Sequence, residues 1–174
     1  MTEFVDTAED IYMIIESHPG IHFRQILEES GRQLGVVEYH LQRLEKGGRI
    51  ISVHHRNLKL FFDFTWRLRI GSVMVLIANL RKTVPRQILL LLSQSPEMHN
   101  LSIKALSKVL EMSPSALHWH IKRLTEDELI SPRRRGREVT LELLFDKELI
   151  SKLGREIYPN RWERFLDSIE AKFN

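Results

Sequence analysis

The sequence predicts a mainly α-helical fold with small β-hairpins, an α+β class in which one compact unit is built twice in tandem. Three observations predict it: an internal repeat, apolar positions at helical spacing within each copy, and two β-rich stretches around a polar tip closing each copy. Tyr39-His40-Leu41-Gln42-Arg43-Leu44 recurs 80 residues on as Trp119-His120-Ile121-Lys122-Arg123-Leu124, and Ile50 falls on Ile130 at the same spacing. Upstream, Ile11-Tyr12-Met13-Ile14-Ile15 with Pro19 matches Ile88-Leu89-Leu90-Leu91-Leu92 with Pro96 at a spacing of 77, so the second copy has three extra residues near Met98 to Leu101. A duplicated unit fixes boundaries without appeal to propensity. Residues 1–64 and 84–145 are the two expected domains, 65–83 a linker helix and 146–174 C-terminal helices.

Within each copy the elements follow in order. A first helix, over 7–17 and again over 84–94, ends ahead of a proline, which disfavours helical geometry in the residue before it. A short second helix carries Phe23, Ile26 and Leu27 in one copy and Ile103, Leu106 and Val109 in the other, spacings that gather apolar side chains on one face. The third helix is best marked in the second copy, where Ser113 is a capping residue and Pro114 suits the first helical position. Its expected buried stripe is Leu117, Ile121 and Leu124, matched by Val37, Leu41 and Leu44 in the first copy, where Gln33 replaces the capping serine. Strand pairs follow: Ile50 to Val53 with Leu58 to Phe62, and Ile130 to Arg133 with Glu138 to Leu144. The tips, His55-Arg56-Asn57 and Arg135-Gly136-Arg137, have hairpin chemistry.

Composition narrows the function. The absence of cysteine excludes disulfides, thiolate metal sites and a cysteine nucleophile together. Met1 to Glu9 lacks the features of a signal peptide, so a cytoplasmic, nucleoid-associated location is expected. The apolar run Ile70 to Leu80 is too short to span a bilayer, so no membrane association is expected. Net charge is +3, but its distribution is uneven: residues 1–62 carry 7 Lys/Arg against 9 Asp/Glu, and residues 63–145 carry 13 against 8. Basic charge therefore sits in the middle and second half, where an anionic partner would bind.

The string Ser113-Pro114-Ser115-Ala116-Leu117-His118-Trp119-His120-Ile121-Lys122-Arg123-Leu124, followed by Leu129-Ile130 and a basic hairpin, resembles the recognition helix and wing of ArsR-like and MarR-like winged helix-turn-helix regulators. Two such units in tandem are similar to archaeal transcription regulators. The resemblance covers both repeats, with Arg32 standing in the first turn where Met112 stands in the second. It implies two winged helix-turn-helix domains, each third helix placed to enter a major groove and each wing placed to reach phosphates or a minor groove.

The residues themselves agree. Once the buried stripe is removed, the third helix of the second copy leaves Ser115, Ala116, His118, Trp119, Lys122 and Arg123 facing away from the core, with Ser113 at its start. Small residues there permit close approach to base edges, and Lys122 and Arg123 suit phosphate or guanine. Arg133, Arg134, Arg135 and Arg137 crowd the wing, where they would repel one another and contribute nothing to a core. Four phosphate contacts would steepen the slope of log K against log salt by roughly 3 to 4. The first copy offers Gly35, Val36, Glu38, Tyr39 and Gln42, with Arg43, Arg56 and Lys59 for charge, so it either reads bases in support of the second or serves a protein contact.

Two further groups of residues attract other readings. His54, His55, His118 and His120 lack acidic or cysteine partners at ligand spacing, so no metal or other cofactor is expected; for His40 and His120 a hydrogen bond fixing helix to turn is the plainer role. No phosphate loop, nucleophile elbow or clustered carboxylate set is present, and no enzymatic activity is expected. Trp66 to Lys82 reads as an apolar helix. Lys147 to Leu153 and Trp162 to Ile169 read as C-terminal helices, the second with Trp162, Phe165, Leu166 and Ile169 on one stripe, favouring a homodimer. The expected function is sequence-specific binding of double-stranded DNA to control transcription. Alternatives are an adaptor that contacts a basal transcription factor or polymerase subunit through the first domain, and replication initiation or single-strand binding. An effector, with no thiolates available, would be a small molecule or a protein.

Overall fold

The computed structural model describes residues 6–69, 71–94 and 102–157, together with 167 and 171, except for the side chains of Arg69 and Arg135. The chain divides into unit 1, Met1–Ala78, and unit 2, Asn79–Asn174. Each unit is mostly helical with a small antiparallel hairpin, as the repeat predicts.

In unit 1, α1 (Thr7–Ser17) starts where the Asp6 carboxylate accepts from the Ala8 N–H at 3.2 Å. A two-residue strand, β1 (Ile21–His22), leads into α2 (Phe23–Ser30), whose cap is the His22 ring, Nδ1 accepting from the Gln25 N–H at 3.3 Å. Gly31 ends α2 in the left-handed region, and α3 (Leu34–Lys46) follows with no side-chain cap at Gln33. Strands β2 (Ile50–His55) and β3 (Leu58–Asp63) form the hairpin, and β1 pairs on the far edge of β3, Ile21 against Phe61. Ile11, Ile15, Ile21, Ile26, Val37, Leu41, Leu44, Ile50 and Phe61 close one core. Each fully buried aliphatic side chain contributes roughly 2 kcal/mol, so the α3 stripe is what fixes the helix on the unit.

In unit 2 the same path is retraced by α5 (Thr83–Gln94), α6 (Ile103–Val109), α7 (Pro114–Glu126), β4 (Ile130–Arg135) and β5 (Glu138–Leu143). Ser102 does the work of His22: it caps α6 by accepting from the Ala105 N–H at 3.2 Å and forms a β-bridge to Thr140, as His22 pairs with Leu60. Ser113 caps α7 at 3.3 Å from the Ala116 N–H, and Leu117, Ile121 and Leu124 are buried as expected. A last helix, α8 (Lys147–Ile157), packs against α5 with Ile150, Leu153 and Ile157.

The duplication is exact enough to show in backbone angles. Three positions 80 residues apart share the left-handed region: Gly31 and Glu111 (φ 61° and 54°), Gly48 and Glu128 (67° and 55°), Arg56 and Gly136 (55° and 62°). Each pair performs one task, respectively the helix-to-helix turn, the exit from the third helix and the hairpin tip.

One expectation needs correction. Trp66 to Lys82 is not a single helix but a 3-10 turn, Phe64–Arg69, then α4 (Ser72–Leu80). Gly71, at φ 104°, interrupts the helical path, and its carbonyl accepts the first bonds of α4 from Met74 and Val75. The second C-terminal helix expected over Trp162 to Ile169, with its apolar stripe, lies outside the described residues, as do the extra residues Met98 to Leu101. Among the described residues no helix is long and apolar enough to cross a membrane.

Candidate nucleic-acid interface

The exposed face of α7 follows from its buried one. With Leu117, Ile121 and Leu124 turned inward, Ser113, Ser115, Ala116, His118, Trp119 and Lys122 are exposed and Arg123 is half-buried. Trp119 keeps 53% of its surface exposed, unusual for a tryptophan in a small domain without a partner. It is not loose: the Arg123 guanidinium carbon stands 4.4 Å from its ring centroid, and the His120 ring meets it at 4.8 Å and 89°. Lys122 has only a 4.0 Å approach to Glu126 one turn on.

His120 departs from its expected role. Its Nδ1 is buried without a hydrogen-bond partner, as is that of His40, so both rings are held by edge-on aromatic packing rather than by a bond to the turn. Burial, with the charges of Arg123 and Lys82, holds His120 below the ordinary histidine value, which favours its neutral form beside those cations.

Register redistributes the wing arginines. Arg133 pairs with Thr140, Arg134 with Val139 and Arg135 with Glu138, so the turn itself is Gly136-Arg137. Successive strand positions point to opposite faces. Arg133, opposite Thr140, lies below the turn, and its Nε donates to Glu142 at 2.6 Å, forming a pair without net charge down the ribbon. Arg134 and Arg137 are exposed, whereas the side chain of Arg135 lies outside the described set.

Two cations escaped the sequence reading. Lys104 and Lys108 are exposed one turn apart on α6, the helix that precedes α7. Their i, i+4 spacing was the available signal. In helix-turn-helix geometry the helix before the recognition helix crosses the phosphate backbone, which is where such a pair is useful.

Unit 1 presents the same surface with different chemistry. Gly35, Val36, Glu38, Tyr39, Gln42 and Arg43 are exposed on α3, and Arg56 on the hairpin tip. Lys59, expected to be available, instead donates to Glu45 at 3.1 Å, and Ser52 bonds the same carboxylate. Burial alone would raise Glu45, but these hydrogen bonds outweigh it and hold the group below its usual value. Arg24 pairs with Glu28 at 3.1 Å, Arg32 with Asp10 at 3.0 Å, and Arg49 with Glu9 at 2.7 Å while stacking on Tyr12. The hydrogen bond from Arg49 lowers the Glu9 pKa. Among the described residues no group of three or more His, Asp or Glu is placed to hold a metal ion.

Three helices followed by a hairpin, built twice, define a tandem winged helix-turn-helix protein. Comparison with known proteins gives the same class: residues 5–67 match a family described as an N-terminal helix-turn-helix domain, and residues 84–131 match the winged helix-turn-helix DNA-binding family. Over 134 residues, 77% of its length, the chain is 21% identical to a Methanocaldococcus jannaschii protein named as an uncharacterized HTH-type transcriptional regulator. The match spans 32% of that protein, so the chain corresponds to about a third of its relative.

Proposed function

We propose that this protein is a transcription regulator that binds double-stranded DNA sequence-specifically, with unit 2 supplying most of the affinity. One observation carries the proposal. The capped, solvent-facing helix α7 lies in a unit where the exposed cations Lys104, Lys108, Lys122, Arg134 and Arg137 make no close ion pair among the described residues. In this reading α7 enters the major groove with Ser115, Ala116 and His118 near base edges, Arg123 reads a base, and Arg134 and Arg137 of the wing meet phosphates or the minor groove. The regulator name of the Methanocaldococcus jannaschii relative supports transcription as the process served. Binding as a homodimer to two half-sites belongs to the same proposal.

Fluorescence anisotropy tests it, using the full chain against random duplex DNA, single-stranded DNA and duplex RNA across a salt series. The proposal expects a salt-sensitive preference for duplex DNA that is largely lost when Arg133, Arg134, Arg135 and Arg137 are all changed to Ala. Absence of duplex binding at low salt would refute it. A second reading, an adaptor to a basal transcription factor or polymerase subunit, is favoured by the exposure of Leu34 (54%) and Tyr39 (55%) on α3. That reading expects stable co-purification with such a subunit and little binding to isolated DNA.

A further inference from the structure

Unit 1 holds a groove whose polar lining has no counterpart in the sequence of unit 2, although both units build the same scaffold around it. The groove has a volume of about 340 Å³, at the small end of the range for small-molecule sites. One wall is α3, where Glu38, Leu41, Gln42 and Glu45 follow at helical spacing and so share a face. The other is β3, where Lys59 and Phe61 are two residues apart and point to one side of the hairpin. Phe23, the first residue of α2, completes the lining.

The floor is apolar. Leu41 and Phe61 are buried members of the unit 1 core and Phe23 packs against it, so the groove reaches the edge of that core. Above the floor the polar groups fall into two sets. The Glu45 carboxylate accepts from the Ser52 hydroxyl and, at 3.1 Å, from the Lys59 ammonium, which also lies 5.2 Å from the Phe61 ring centroid. Glu38 and Gln42 are exposed, and neither side chain has a hydrogen-bond or ion-pair partner among the described residues. Two carboxylates against one ammonium leave the lining with a net negative charge.

Eighty residues on, the floor stays apolar, with Ile103, Ile121 and Leu141 standing for Phe23, Leu41 and Phe61. Every polar position changes: His118 stands for Glu38, Lys122 for Gln42, Thr125 for Glu45 and Val139 for Lys59. Thr125 turns back to bond the Ile121 carbonyl at 2.9 Å. Three helices and a hairpin therefore form without these acidic and amide groups, and an ion pair as exposed as that of Glu45 with Lys59 adds little to stability. The polar lining of unit 1 is left for a task other than holding the fold.

We infer that this groove is a binding site for a small amine, a flat apolar body carrying one ammonium group. The ring system packs on Phe23 and Phe61, where its face meets aromatic surface. Its ammonium donates to the Glu38 carboxylate in a charge-assisted hydrogen bond, with the Gln42 amide oxygen as a second acceptor. An anionic ligand is disfavoured by charge, since the cation in the lining, Lys59, is already paired with Glu45. The inference stands apart from DNA binding and gives unit 1 a ligand of its own.

The test is an NMR titration of the isotope-labelled full chain with tryptamine, beside tryptophol, its neutral counterpart, and indole-3-acetate, an anionic one. Tryptamine should shift the backbone amides of α3 and β3 around the groove and saturate with a dissociation constant of about 1 mM or below, as suits a ligand of this size. Tryptophol should bind about tenfold more weakly, and indole-3-acetate should leave those amides in place. Glu38→Gln should bring tryptamine down to the tryptophol level, whereas Glu16→Gln, at an exposed carboxylate on α1, should not. The amide spectrum of each variant reports its fold in the same experiment. Shifts centred away from the groove, equal binding of tryptamine and tryptophol, or an equal loss in Glu38→Gln and Glu16→Gln would each overturn the inference. So would the absence of saturable shifts up to about 10 mM tryptamine.

Discussion

Arg134 and Arg137 of the wing should carry a measurable share of the salt dependence of DNA binding, and Arg133 should not. The distinction comes from geometry: Arg133 is held by Glu142 at 2.6 Å as a pair without net charge, whereas Arg134 and Arg137 stand exposed near the turn. Each phosphate neutralised on duplex DNA contributes about 0.9 to the slope of log K against log salt, so Arg134→Ala with Arg137→Ala should flatten the slope by about 1.8. Between roughly 50 and 200 mM salt, the wild-type advantage over this double mutant should then shrink about twelvefold. Arg133→Ala should leave the slope unchanged, and Glu142→Gln, which uncovers Arg133, should steepen it by about 0.9. The pair is exposed and worth at most about 1 kcal/mol, so neither change should alter folding. Anisotropy titrations at five salt concentrations, with thermal melts as controls, make the comparison. The reasoning fails if Arg133→Ala flattens the slope as much as either tip arginine does, or if the double mutant leaves it intact.

Other predictions concern the scaffold. Gly20→Ala should destabilise unit 1 by about 3 kcal/mol in urea unfolding, since a Cβ there falls 2.6 Å from Ile77 Cγ2 at a backbone φ of +73°. Gly31→Ala, with nothing within 4 Å, should cost only the backbone strain of about 1 kcal/mol. Gln33→Ser should stabilise unit 1 by about 1 kcal/mol, because α3 lacks the cap that Ser113 supplies to α7; an unchanged melting temperature would contradict it. His120 has its pKa lowered in the folded state, chiefly by burial, so its neutral form is favoured there. Its contribution to stability is therefore complete above the ordinary value of 6.5 and is lost as pH falls through the lowered one. His120→Phe should remove that part of the acid dependence, as unfolding curves between pH 7 and 4 would show.

Much of this was legible in the sequence because duplication writes the fold twice. The stripes Val37-Leu41-Leu44 and Leu117-Ile121-Leu124, the cap at Ser113 and both hairpins follow from spacing and residue type alone. Less visible were the left-handed positions, since glutamate stands at Glu111 and Glu128 where the other copy has glycine. The cap at His22 was hidden for a similar reason, an uncommon residue performing a serine's task. An apolar run around Gly71 concealed a break that depends on one backbone angle rather than on composition. At the candidate site, exposure of the α7 face could be read from periodicity, but charge pairing could not. Arg133 and Glu142 are nine residues apart and meet only through strand register, while Arg49 and Glu9 are forty apart and meet only through the fold. The pairing of Arg32, Arg49 and Lys59 in unit 1 and of Arg133 in unit 2 therefore emerged only in three dimensions.

Central to this account is specific reading of duplex DNA by α7. The direct measurement is the ratio of affinities for a selected duplex and for a scrambled duplex of equal length at one fixed salt concentration, with wild type and Arg123→Ala side by side. The account predicts a ratio of about 1,000 or more for wild type, falling by about tenfold or more in the variant. A wild-type ratio near one, with both duplexes bound equally, would contradict it.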